Sequence, residues 1–200
     1  FSVLPGLSTN GDSAATFTNN LSFNLFAGLN GGVKGFEFGT FANIINKDVE
    51  GMQIAGITNV VSGKASAMQV AGIVNVNKKS VNGMQVAGVV NIADSNFTGL
   101  QTAGIFNLTH NIYGMQISGI SCTAKNMYGL QVSGLGGLAD SVTGMQVSGI
   151  INTSKSVTGL QVAGLVNQTG TLKGVQLGFI NISENVKGGV PIGFISFSKN

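Results

Sequence analysis

Apolar and polar positions recur along this chain with a fixed step. The phrase Gly-Met-Gln-Ile-Ala-Gly, met at Gly51, has start points at Gly35, Gly51, Ala67, Gly83, Gly99, Gly114, Gly129, Gly144, Gly159, Gly174 and Gly189. Its spacing is 16 residues as far as Gly99 and 15 thereafter. Self-similarity at a short period marks a chain that stacks one structural unit on the next.

Stacking the repeats gives columns. An apolar residue stands two places before each phrase (Val33, Val49, Ala65, Val81, Phe97, Ile112). The second position is Met, Leu, Phe or Val and the fourth is mostly Val or Ile, broken by Thr102. Between them runs a polar column that begins at Glu37 and continues as Gln53, Gln69, Gln85, Gln101, Gln116, Gln131, Gln146, Gln161 and Gln176. Period-two alternation puts this column on the strand face opposite Met and Val. With the apolar columns as core, the glutamines form a flat outward lattice beside rows of Ala or Ser, and this lattice is the candidate interaction face.

After the second glycine comes another apolar residue (Ile57, Ile73, Val89, Ile105), and two places later asparagine: Asn43, Asn59, Asn75, Asn91, Asn107, Asn152 and Asn167. Identical amides at strand spacing predict a hydrogen-bonded ladder, with Cys122 and Gly137 substituting in two coils. The column between (Val74, Val90, Phe106) can point either way. The remaining residues of each coil vary, hold most of the charge and absorb the change from 16 to 15, as a loop edge does.

Recurrent glycine opposes an amphipathic helix, since each interior Gly costs about 1 kcal/mol against Ala. Glycine also punctuates the strands too often for a lipid-facing barrel, which needs roughly 9 to 11 residues per strand. The predicted fold is therefore all-β: a narrow single-chain β-solenoid, or β-helix, of about eleven coils of 15 or 16 residues. Residues 1–34 form an N-terminal cap with a degenerate first coil, in which Leu21, Phe23 and Leu25 alternate with Ser22 and Asn24 as a half-buried strand. Residues 35–200 form the repeats, expected to continue into a further C-terminal region.

Composition narrows the function. The net charge of +3 is spread over ten lysines with no run longer than Lys78-Lys79, which argues against a nucleic-acid footprint. No stretch reaches the roughly 18 apolar residues of a membrane helix. His110 is the sole histidine and Cys122 the sole cysteine, so neither a metal site nor an intrachain disulfide is proposed. The acids Glu37, Glu50, Asp94, Asp140 and Glu184 fall in scattered columns, which gives no carboxylate pair for glycoside chemistry. No catalytic, cofactor-binding or metal-ligating residue is assigned.

Repeats such as Gly83 to Ile92, led in by Asn24 to Gly28 and Gly35 to Gly39, resemble a family of bacterial surface-repeat proteins of Bacteroidota and Leptospira. The resemblance covers nearly the whole chain and implies a cell-surface, outer-membrane-associated or secreted location, with no activity attached. Asp12-Ser13-Ala14 and Asp140-Ser141-Val142 resemble O-glycosylation acceptor sites of Bacteroidota. The expected function is that of a non-enzymatic structural or adhesive repeat protein, a rigid scaffold or assembly subunit. The alternative is a carbohydrate-binding module using the glutamine face. The expected partners are a second copy, another surface protein or a glycan.

Overall fold

The computed structural model describes residues 1–198, and of Asp12 the backbone alone. The chain falls into two compact units, Phe1–Gly104 and Ile105–Asn200. Each is a β-solenoid of stacked parallel coils, with no α-helix among the described residues.

In the first unit, as far as Ala87, a coil consists of a phrase strand and a shorter strand beyond a glycine corner, and Val90–Ala103 already runs as one strand. Val49–Ala55 and Thr58–Val61 form one such coil, Ala65–Ala71 and Val74–Asn77 the next. Pairing is parallel and in register over 16 residues, so that Gln53 lies against Gln69 and Asn59 against Asn75. The stack is closed above by Thr18–Asn24 and Ala27–Asn30, which pair with Gly32–Gly39 and Ala42–Ile45. Ser2–Leu4 and Leu7–Ser8 fold over that coil as an antiparallel pair.

In the second unit, from Phe106 to Leu177, each coil runs as one strand of 12 or 13 residues, such as Ser121–Ser133 and Gly136–Ser148, and the chain beyond breaks into Ile180–Val186, Val190–Ile192 and Ile195–Ser198. The shorter period removes the slack from the variable edge, which now joins the ladder: Asn111 pairs with Asn126, and Ser141 with Ser156. As far as Leu177 only the corner dipeptides, such as Gly134-Leu135, interrupt the strands.

On the phrase strand from its second position onward, the two faces are the reverse of those expected. Every glutamine of the repeat column is fully buried, as are Glu37 and the asparagines of the corner column. They share the interior with the column before the phrase (Val49, Val81, Ile112, Met127) and with the Ala and Ser column. The Met and Val columns point outward: Ile117 is 36% exposed and Met145 39%. The cap obeys the same rule, with Ser22 and Asn24 buried while Leu21 and Phe23 are exposed.

A polar core of this kind holds because nearly all of its buried amides are paired. In the first unit Gln53 Nε2 donates to Glu37 Oε2 at 2.7 Å, Gln69 to Gln53 Oε1 at 2.7 Å, Gln85 to Gln69 at 3.0 Å and Gln101 to Gln85 at 2.9 Å. The second unit repeats the pattern from Gln131 onto Gln116 through Gln176 onto Gln161, at 2.7 to 3.0 Å. All these amides donate toward the N-terminus. The first unit's ladder ends on the carboxylate of Glu37, and in the second unit Ser183 Oγ donates to Gln176 Oε1.

The asparagines donate the opposite way, Asn43 onto Asn59, Asn59 onto Asn75 and Asn75 onto Asn91, each at 2.9 Å. The second N–H of each reaches a phrase carbonyl, as Asn59 does to Val70 O at 2.9 Å. That bond ties the short strand of one coil to the phrase strand of the next.

In the second unit this ladder is interrupted. Asn107 donates to Cys122 Sγ at 3.8 Å, Gly137 contributes nothing, and Asn152 Oδ1 is left buried without a partner. A Cβ at Gly137 would meet Asn152 Oδ1 at 2.6 Å and Gln146 Nε2 and Cγ at 2.9 and 3.0 Å, so both side chains must give way to admit it. Restoring the column with Cys122→Asn and Gly137→Asn together is expected to raise stability by about 1 to 2 kcal/mol, read from thermal melting. A fall in the melting temperature would show that the gap is needed for packing.

Candidate functional site: an uncharged apolar flank

The candidate face expected from sequence, Gln53, Gln69, Gln85, Gln101, Gln116, Gln131, Gln146, Gln161 and Gln176, does not exist as a surface. Each of these side chains has no solvent exposure. The correction has a geometric cause. Val49, Gln53 and Ala55 share one parity along the strand, so the side that buries valine buries glutamine as well.

What faces outward instead is apolar. In the coil from Ala67 the outward residues are Met68, Val70, Ile73, Val74 and Val76, and in the next coil Met84, Val86, Val89, Val90 and Ile92. The undecided column thus points out; Phe106 and Ile151, its counterparts in the second unit, are 39% and 38% exposed. Residues 51–61, 67–77 and 83–93 contain no charged side chain, nor do 114–124, 129–139, 144–154 and 159–169. In these coils charge is confined to the remaining edge, where Lys64, Lys78, Lys79, Lys125 and Lys155 are exposed. The ion pair of Lys155 with Asp140, at 3.0 Å, lies in water and contributes little.

A folded surface always shows scattered apolar atoms, but contiguous uncharged stripes repeated coil after coil are the kind of patch that marks a contact site. No protein-family model, curated protein or solved structure matches the chain. The flank therefore has to be understood from its own chemistry.

The other polar features are separate. His110 is exposed, and Cys122 is buried against Ser118 Oγ at 3.1 Å, with burial pushing its thiol pKa up. That is the opposite of an activated thiolate. Tyr113 and Tyr128 stack at 4.9 Å on the outer surface and occupy one another's faces. An open groove of about 340 Å³ on the variable edge is lined by Thr153, Lys155, Gln168, Thr171 and Glu184. Ser13 is exposed and Ser141 half-buried. No described helix is long and apolar enough to cross a membrane, which says nothing of crossing by strands.

Among the described side chains Glu37 is the one carboxylate inside the stack. Gln53, Asn24 and Asn30 donate to it at 2.7, 3.1 and 2.6 Å, yet burial outweighs these donors and raises its pKa above the ordinary carboxylate value. Between the ordinary and the raised value the native chain keeps a proton that the unfolded chain has lost. Stability is then full below the ordinary value and falls as pH rises through the raised one. Urea unfolding across the mildly acidic range is expected to show this decline, and Glu37→Gln, which continues the amide column, is expected to flatten it. A wild-type profile that rises over the same range would contradict the assignment.

Proposed function

We propose that this protein is a non-enzymatic structural repeat protein of a bacterial surface, a rigid scaffold or assembly subunit that works by contact through its apolar flank. The observation carrying this reading is the set of outward Met, Val and Ile columns, free of charge in every full coil. The likeness of the repeats to bacterial surface-repeat proteins supports the location. A stack whose interior is filled by its own amide ladders keeps no inward space for a ligand, so recognition falls to the outside.

Sedimentation of the native protein in detergent-free buffer, with negative-stain microscopy of the same fractions and binding of a hydrophobic dye, tests this. The expected result is dye binding and large assemblies that disperse in Val70→Lys/Val86→Lys. A monodisperse protein that binds no dye would overturn the reading.

A further inference from the structure

Resting on the flank as a contact surface, we propose that its occupant is a lipid bilayer carrying anionic headgroups. Three observations in the first unit point to lipid over a protein partner. The apolar columns do not stop at one flat face: Met68 and Val70 lie on the phrase strand, Ile73 at the glycine corner, and Val74 and Val76 on the strand beyond it. A rigid flat partner covers one side of such a corner, whereas acyl chains conform to both.

The backbone of these strands is also spent on coil-to-coil pairing, Val70 against Val86 and Val76 against Ile92. Around the corner the same holds, with Ile73 N donating to Ile57 O at 3.0 Å and Gly72 N to Ala55 O at 3.1 Å. No bare ladder edge faces outward along the flank to be desolvated, which is the condition for backbone to enter an apolar phase.

Finally, the charge beside the flank has a sign. From residue 34 to residue 104 the exposed charged side chains are Lys34, Lys47, Lys64, Lys78 and Lys79 against Asp48, Glu50 and Asp94, a lysine excess on the edge that the apolar arc leaves free. An apolar face bordered by lysines is the arrangement by which interfacial proteins lie in a bilayer surface, with the lysines at anionic headgroups.

The test is flotation of the full chain with phosphatidylcholine vesicles, with and without phosphatidylglycerol. The native chain is expected to float, more strongly with phosphatidylglycerol. Val70→Lys/Val86→Lys on one side of the corner and Val76→Lys/Ile92→Lys on the other are each expected to reduce the bound fraction about fivefold or more, with the β-sheet circular dichroism unchanged. Should a lysine pair fail to fold, Val70→Thr/Val86→Thr replaces it, because Thr102 already stands in that column; a loss of about twofold is expected there. A chain that stays unbound with both vesicle types overturns the proposal. So does a chain in which only one side of the corner matters, which would assign the flank to a flat protein partner such as a second copy. Failure to float in a chain that still assembles and binds dye removes the lipid and leaves the scaffold standing.

Discussion

Replacing Gln131 by Ala is expected to destabilise the second unit by about 3 to 5 kcal/mol, a core-sized loss from a polar residue. The change takes the donor from Gln116 Oε1 and the acceptor from Gln146 Nε2, bonds of 3.0 and 2.8 Å. Each buried group left unpaired costs about 1 to 3 kcal/mol, and the vacated volume adds to it. Gln131→Met fills the volume but orphans the same two atoms, and should recover only part of the loss. By contrast Met145→Ala, at an outward position 39% exposed, should cost less than about 1 kcal/mol. Denaturant unfolding of the three variants checks this. An order in which the methionine matters more than the glutamine would mean that the strand is turned the other way.

Gly144→Val is expected to be the more damaging of the two, at about 4 kcal/mol or more, with loss of the stack in expression or melting. Gly144 sits at φ +127, a conformation that a β-branched residue strongly resists, and a Cβ there would run into the carbonyl oxygen of Gly129 in the preceding coil. The glycine opening the phrase lets successive coils approach closely. Ala67 is the informative exception, because no non-glycine residue of the described chain has positive φ. In that coil the strand alternates regularly from Ala65 to Ala71 and the side chain of Ala67 is buried. A Gly144→Val protein that melts like the native one would show that the coil can relax to the Ala67 conformation at no cost.

The repeat, its two periods and the asparagine ladder were legible in the sequence because they depend only on stacking like on like. The face of the strand was not, because an apolar column looks like interior whichever side of the strand it occupies. Two columns carried the signal that corrects it. Lys34, Glu50 and Lys173 stand immediately before the phrase and must reach water, and Met52 and Ile54 share the parity of Glu50. Val49, Gln53 and Ala55 share the other. Reading parity from the charged residue outward places glutamine inside and methionine outside without any structure. The orphaned Asn152 Oδ1 was half legible, since Cys122 and Gly137 visibly break the asparagine column. The burial of Glu37 was not, because one carboxylate heading a glutamine column reads equally well as a surface variant until its donors Asn24 and Asn30 are seen beside it.

The most direct test of the inverted coil compares thiol labelling at two adjacent positions in the native fold. Met145→Cys and Gln146→Cys each add one thiol, while native Cys122, fully buried, serves as a silent internal reference. Maleimide should modify the Met145→Cys protein quickly under native conditions, and the Gln146→Cys protein only on unfolding. Fast labelling at 146 with protection at 145 would contradict the account, and would return the glutamines to the surface.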